Sequence, residues 1–326
     1  MKTLIFDAPN QPVVTDVQMS TMTANEVMIR SRRVGICHSD YELLAGKYII
    51  PISYPVTPGH EWVGEVIEVG ANVKGLQPGD RVVGECVIQT PERIHHFGFS
   101  MDGANREFFA ARPEWLHKLP DAVDDAKGAL IEPFTCGYYA VMRHGGVNAA
   151  DTVVVSGGGT IGLVTAAAAI GMGARVIVVD PVELRRDIAL RLGAAAVLDP
   201  SAGDPIGAVR DLTKGGADLV VECAGHPASL ANVFDYARPE GNISMVGISI
   251  GQTFPVELGK IQIKNLSVKG CIGSPGVWPA AIRFLERTGI DLSPIQTHSF
   301  PLDQALPALE LGRDPRRAVK VTLEIG

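Results

Sequence analysis

Short apolar runs between Gly, Pro and Asp clusters make up the chain as far as about residue 125. Val27-Met28-Ile29-Arg30-Ser31, the run from Val63 to Val69 and Arg81-Val82-Val83 have the length and β-branched content of strands. Gln77-Pro78-Gly79-Asp80 sets Pro and Gly where a tight turn wants them. This part therefore reads as mainly β and loop. After Pro133 the pattern changes. Apolar strands at Asp151 to Val155, Arg175 to Val179, Ala196 to Leu198, Ala217 to Glu222, Asn242 to Val246 and Leu266 to Gly270 alternate with helical segments. Those helices run from Ile161 to Ala169, from Val182 to Leu192 where Gly193 stops the run, to about Leu212, and from Ala228 to Tyr236. Alternation of this kind predicts a parallel sheet covered on both faces, an α/β arrangement. The tail, helical from Leu302 to Leu311 and a strand from Ala318 to Glu324, is too short for a domain and is expected to fold back onto the first part.

At 326 residues the chain exceeds one ordinary hydrophobic core, so two domains are expected. It is 46% hydrophobic and 20% charged, which excludes disorder. A net charge of −7 argues against nucleic acid or an anionic membrane as partner. The apolar stretch from Val153 to Val179 is broken by Gly157-Gly158-Gly159 and carries Arg175, so it reads as strand, turn, helix and strand, not a membrane span. The start, MKTLIFDAPN, has an acid where a signal peptide needs its apolar core. An odd number of cysteines without close spacing fits a reduced, cytoplasmic setting.

Gly157-Gly158-Gly159-Thr160-Ile161-Gly162 satisfies G-x-G-x-x-G. It follows a strand and opens a helix, and the next strand ends in Asp180. Gly157 allows the tight turn, Gly159 lets the backbone approach a pyrophosphate, and Gly162 lets helix and strand close up. Unpaired N–H groups of the helix start, at Thr160 and Ile161, face the phosphates. Asp180 is placed to accept from the adenosine ribose hydroxyls and to repel a 2′-phosphate, so NAD is favoured over NADP. The plainer alternative is a Gly turn with Asp180 as a helix cap. Arg185, one helical turn on, reaches the adenosine side or stays solvated.

The other chemistry lies in Cys37-His38-Ser39-Asp40, Gly59-His60-Glu61 and Glu132-Pro133. A thiolate and an imidazole from Cys37 and His60 favour zinc over hard cations. Glu61 and Glu132 each offer a carboxylate that completes a tetrahedron or sits just outside it. Three scattered ligands with one open position is how catalytic zinc is usually held.

These segments, with the Pro78-Gly79-Asp80-Arg81-Val82 turn and the later Gly-rich fold, resemble the zinc-dependent branch of the medium-chain dehydrogenase/reductases. The pattern is nearest to the sorbitol- and threonine-dehydrogenase-like members. The resemblance implies a GroES-like, mainly β catalytic domain over residues 1–136 and 273–326, and a Rossmann NAD-binding domain over 137–272. It implies one catalytic zinc, with Cys37 and His60 as shared ligands, Glu61 as a direct or intermittent ligand, and Glu132 where alcohol dehydrogenases place a cysteine. Ser39 matches the hydroxyl that takes the alcohol proton, and Asp40 the carboxylate that orients a ligand. Cys136 and Val246 match positions lining the nicotinamide, and Arg317 one approaching the pyrophosphate.

Two departures stand out. Glu42 occupies the place where the proton relay usually ends in a histidine; it accepts the proton itself, or the relay runs through the ribose. The lobe with four cysteines that holds a structural zinc is replaced by the segment from Val87 to Phe99, so no structural zinc is expected. His95 and His96 in that segment either meet substrate hydroxyls or belong to a solvated loop. The activity implied is reversible hydride transfer from a secondary alcohol of a polyol or cyclitol to NAD. An amino-alcohol or threonine dehydrogenase, or a zinc-free quinone or enoyl reductase, is the alternative. The last strand of the nucleotide sheet leaves an edge to be covered, which predicts a homodimer or homotetramer.

Overall fold

The structure, a computed structural model, describes residues 1–47, 52–90, 93–247 and 251–326. The chain divides into two compact units. One comprises Met1–Glu132, Ile282–Gly289 and Gln296–Gly326, the other Pro133–Ala281 and Ile290–Ile295. The first boundary falls between Glu132 and Pro133, inside the helix Ile131–Met142, so Cys136 belongs to the second unit and not the first. The chain returns to the first unit at Ile282, later than the expected residue 273.

The first unit is built around the long strand Val27–Ile36. Both ends of the strand, Val27-Met28-Ile29 and Val34-Gly35-Ile36, are buried, and only Arg30, Arg32 and Arg33 between them are partly exposed, so the strand is covered on both faces at its ends. It pairs antiparallel with Glu61–Val69 and Phe108–Ala111, and near its C-terminal end with the tail strand Lys320–Glu324. Two registers position the site: Gly35 lies opposite Glu61, and Ile36 opposite Val321. Residues just beyond each strand end, including Cys37 and His60, are thereby gathered at one end of the sheet. The core of this unit includes Leu4, Phe6, Ile29, Leu43, Phe97, Phe99, Phe109 and Leu323.

The segment Val87 to Phe99 is not a loop. Val87–Gln89 and Ile94–His96 pair as an antiparallel hairpin, with Ile88 opposite His95. Pro91 and Glu92 of that segment lie outside the described residues. Phe97 and Phe99 are buried, and Phe97 packs against Trp62 and Phe109 with ring centroids 5.8 and 5.5 Å away. The hairpin is therefore anchored by aromatic burial, worth about 1.5–3 kcal/mol for each such side chain.

The second unit carries strands β1 (Thr152–Ser156), β2 (Arg175–Val179), β3 (Ala196–Leu198), β4 (Ala217–Glu222), β5 (Ala237–Met245) and β6 (Ser267–Gly270). All neighbouring pairs are parallel, and the order across the sheet is β3-β2-β1-β4-β5-β6. This is the doubly wound order whose strand sequence reverses beside the first strand, where dinucleotides bind. Helices α1 (Thr160–Gly171), α2 (Glu183–Arg191), α3 (Pro205–Thr213) and α4 (Pro227–Tyr236) cover the sheet. Val153, Val154 and Val155 are wholly buried because both faces of β1 are covered, which explains a continuous apolar run without alternation. Among the described residues, no helix is long and apolar enough to cross a membrane.

Candidate active site

Cys37 follows the last residue of Val27–Ile36 and caps the helix His38–Leu44. Asp40, in the first turn of that helix, accepts from the Cys37 backbone N–H at 2.8 Å and so fixes the chain as it leaves the sheet. His60 and Glu61 stand at the start of the facing strand. Among the described residues, Cys37, His60 and Glu61 each bring one ligand atom to within 4.8 Å of the other two. His60 and Glu61 are buried, and Cys37 is half-buried.

Two buried polar atoms lack hydrogen-bond partners here: His60 Nδ1 and Asp40 Oδ1, which lie 3.7 Å apart. Burial strips charge from an imidazole, but Asp40 and Cys37 beside His60 more than reverse this and hold its pKa well above the usual value. Negative groups gathered round a buried imidazole make a place suited to a cation, and a metal ion takes the place of a proton on its ligand nitrogen when it binds. Thiolate, imidazole and carboxylate are the donors zinc takes, so the residues present fit that ion. Phe99 packs on the His60 ring with centroids 4.7 Å apart and covers its flank.

Glu132 is not in the triad. It sits at the start of the helix Ile131–Met142, where the charges of the cluster act on it. Burial, the largest influence, pushes its carboxyl up to about 7; His60 and Lys320 pull it down, while Glu61 and Asp40 push it up. Ser39 is half-buried in the first turn beyond Cys37. Glu42 lies on the outer side of the same helix, 45% exposed, with its carboxylate 3.7 Å from His38 Nε2. His95 lines a surface cavity of about 620 Å3 with Glu85, Met101 and Trp115, and accepts from Arg93 Nε at 3.3 Å. Burial pushes the Cys86 thiol up to about 12, which keeps that cysteine a neutral wall beside the cluster and not a thiolate.

Sequence reasoning missed Lys320. Its ammonium is 2% exposed and donates to Glu61 Oε2 at 2.5 Å and to Ile36 O at 3.0 Å. Burial opposes the charge, but Glu61 and Cys37 outweigh it and raise the lysine pKa. The available signal was a lone lysine inside the apolar run Ala318-Val319-Lys320-Val321. Arg317, three places earlier in the same segment, is instead exposed in the turn before the strand, where its N–H donates to Asp314 O at 3.1 Å.

In the second unit the Gly-rich turn has a distinct geometry at each glycine. Gly157 has a φ of +103°, a left-handed value that favours glycine, and a Cβ there would lie 2.8 Å from the Ala224 nitrogen. A Cβ on Gly162 would lie 1.8 Å from Gly157 O, so helix and turn are in contact. A Cβ on Gly159 would meet nothing within 4 Å. The N-terminus of α1 is therefore open at this point, the kind of space in which a helix start can receive an anionic group. Thr160 and Ile161 form the first turn of α1.

Asp180, just past β2, is buried. Its Oδ2 accepts from Gly158 N–H at 2.7 Å and from Arg185 at 3.3 Å, and its Oδ1 accepts from Val182 N–H at 2.8 Å. A carboxylate offers about four acceptor sites, so capacity for a ribose hydroxyl remains. Arg185 therefore pairs with the acid itself and is not simply solvated. Val246 follows β5, and its N–H donates to Glu222 O at 2.8 Å; Cys136 is half-buried in its helix. Glu222, wholly buried at the end of β4, accepts from the N–H groups of Ala224 and Gly225 and from Ser229 Oγ. It thus ties the loops at the C-terminal edge of the sheet together.

The fold and the two sites define an oxidoreductase with a metal-type donor cluster in one unit and a dinucleotide-type turn in the other. The chain belongs to the zinc-type medium-chain dehydrogenases. Residues 23–121 match the alcohol dehydrogenase GroES-like domain and residues 160–287 the zinc-binding dehydrogenase domain. It is 32% identical over 322 residues to a sorbitol dehydrogenase of Halalkalibacterium halodurans, covering 92% of this chain and 91% of that protein. It is 30% identical over 311 residues to an L-threonine 3-dehydrogenase of Idiomarina loihiensis, covering 89% of each. Among solved structures it is similar to 2R,3R-butanediol dehydrogenase from Bacillus subtilis, at 28% identity and a TM-score of 0.92 over 100% of this chain and 99% of the other.

Proposed function

We propose that this enzyme is an NAD-dependent, single-zinc dehydrogenase that converts a secondary alcohol of a polyol or cyclitol reversibly to the ketone. The observation that carries the reading is the cluster of half-buried Cys37 with buried His60 and Glu61, beside the unpartnered pair of His60 Nδ1 and Asp40 Oδ1. Cys37 and His60 would hold the ion, with a carboxylate from Glu61 or Glu132 completing the set. Zinc in such a site supplies Lewis acidity, making a substrate hydroxyl acidic near neutral pH.

Asp40 Oδ1 stands 3.7 Å from His60 Nδ1, where its charge would orient the ring and leave Nε2 for the metal. Ser39 accepts the hydroxyl proton and passes it outward by way of Glu42 or the nicotinamide ribose. NAD bound there would supply the hydride acceptor, the overall balance being alcohol and NAD+ to ketone, NADH and one proton. Gly157, Gly159 and Gly162 seat the pyrophosphate at the start of α1, and Asp180 takes the adenosine ribose. Negative charge at Asp180 disfavours a 2′-phosphate, which supports NAD over NADP. Arg317, exposed on its turn, would meet a phosphate, and Cys136 and Val246 would line the nicotinamide. Glu132 in place of a third sulfur ligand, with the sorbitol dehydrogenase relative, supports a polyol.

The threonine dehydrogenase relative supports an amino alcohol as the second reading. The exposed outer strand β6 suits pairing with a second copy, so a homodimer or homotetramer is expected. The test is NAD reduction by the purified enzyme over panels of polyols, cyclitols and amino alcohols. Highest kcat/KM among the polyols or cyclitols supports the reading. Preference for the amino alcohols moves it to the second, and turnover only with quinones or enones overturns both.

A further inference from the structure

Glu222 ties loops together, but that task does not call for its charge. Its Oε1 accepts from the N–H groups of Ala224 and Gly225, each at 3.0 Å, and from Ser229 Oγ at 2.7 Å. Oε2 receives only a second share of the Gly225 N–H, at 3.2 Å. Ser229 Oγ in turn meets Ser156 Oγ at 2.7 Å, so hydroxyls link the carboxylate to the last residue of β1. Among the described residues every partner of the side chain is a donor, and none is a lysine or arginine. A glutamine carbonyl would accept the same three bonds at the place of Oε1. Burying a carboxylate without a cation is costly, and this one is wholly buried.

The position of the charge gives it a purpose. β4 lies beside β1, where the strand order reverses. Asp180 stands past β2, on the other side of β1. A dinucleotide seated by its adenosine half at Asp180 and the glycine turn would extend its other half over the ends of β4 and β5. The main chain there is bound to Glu222. The N–H groups of Val246 and Gly247 donate to its backbone O at 2.8 and 3.0 Å, and a Cβ on Gly247 would clash with its Oε2. Ala224 is exposed and Gly225 half-buried, so the carboxylate lies close beneath an open strand end. Its field is felt nearby: burial first, and next the Glu222 charge, push the Cys223 thiol well up. A nicotinamide ring is positively charged when oxidised and neutral when reduced. We propose that the uncompensated charge of Glu222 favours binding of the oxidised cofactor over the reduced one, promoting capture of NAD+ and release of NADH. The proposal rests on the NAD reading above. Glu222 touches neither substrate nor cofactor in this account; its carboxylate acts across the loops that it holds.

The experiment titrates the full-length wild type, Glu222→Gln, Glu222→Asp and Ser229→Ala with NAD+ and with NADH separately, by calorimetry and without substrate. The quantity read is the dissociation constant of NADH divided by that of NAD+. Glu222→Gln keeps the shape of the side chain and removes its charge, so this ratio is expected to fall about threefold or more. Glu222→Asp keeps the charge on a shorter side chain, so both affinities weaken while the ratio stays within about twofold of wild type. A smaller change of ratio in Glu222→Gln, with both forms weakened alike, would show a tie between loops alone and overturn the proposal. A ratio in Glu222→Asp as low as in Glu222→Gln would overturn it too. If Glu222→Gln does not fold, Ser229→Ala decides. That variant takes one donor from the carboxylate and leaves its charge less offset, so the ratio rises about twofold or more. An unchanged ratio there overturns the proposal. Failure of the wild type to bind either form of NAD removes the NAD reading, and this proposal with it; binding of both forms with no shift of ratio in the variants sinks this proposal alone.

Discussion

Around Gly157 to Gly162 the working surface is main chain, kept bare of side chains so that a ligand can approach the start of α1. Around Cys37 it is side chain, with thiol, imidazole, carboxylates and a buried ammonium packed into one pocket of charge. The first site depends on what is missing, the second on what is brought together. Steric change should therefore damage the first and change of charge or donor the second. At the glycine turn the tolerance is set by distances of 1.8 Å at Gly162 and open space at Gly159. At the cluster it is set by how each charge is compensated, as for His60 between Asp40 and Cys37.

The largest effect is expected at the cluster. Cys37→Ser replaces the sulfur donor, and we predict loss of bound zinc and a fall in kcat/KM of more than about 100-fold, beyond what outer residues of metal sites produce. Metal content by mass spectrometry and steady-state rates check it; full zinc occupancy would break the comparison. Asp40→Asn removes the carboxylate facing His60 Nδ1 but no donor, and zinc affinity is predicted to fall about 10–100-fold with the fold intact. Competition with a calibrated chelator measures this.

Smaller effects separate the glycines. Gly162→Ala drives a methyl into Gly157 O and should cost about 1–3 kcal/mol of stability, seen as a lower midpoint in denaturant. Gly159→Ala meets no protein atom, so stability should change by less than about 1 kcal/mol. NAD affinity should nonetheless weaken about tenfold, or about 1.4 kcal/mol, by calorimetric titration. Equal loss of stability in both variants would show that the turn is a packing feature alone.

The two regions also differ in how far the sequence disclosed them. The nucleotide unit was legible because strand, turn, helix and acid follow one another within a single βαβ stretch, and buried strands such as Thr152–Ser156 carry continuous Val. Even there, Arg185 could not be assigned, since its pairing with Asp180 depends on the first turn of α2. In the other unit Cys37, His60 and Glu61 were visible as donor types, but their meeting depends on the Gly35–Glu61 register, which no local pattern records. Lys320 was invisible for the same reason: a lysine within an apolar strand reads as its solvent-facing position until Ile36 and Glu61 are placed opposite. The hairpin from Val87 was hidden because its anchoring comes from Phe97 and Phe99 packing against Trp62 and His60, both distant in sequence, and against Phe109. The unit boundary after Glu132 lies within a continuous helix, so no turn or glycine marks it.

The central claim is that one zinc ion sits where the end of Val27–Ile36 meets the start of Glu61–Val69. An anomalous difference map collected at the zinc absorption edge from crystals of the purified enzyme tests it most directly. The account predicts a single peak per chain, bonded to Cys37 Sγ and His60 Nε2. A map with no peak at that position, or with a second zinc beside the Val87–Phe99 hairpin, would contradict it.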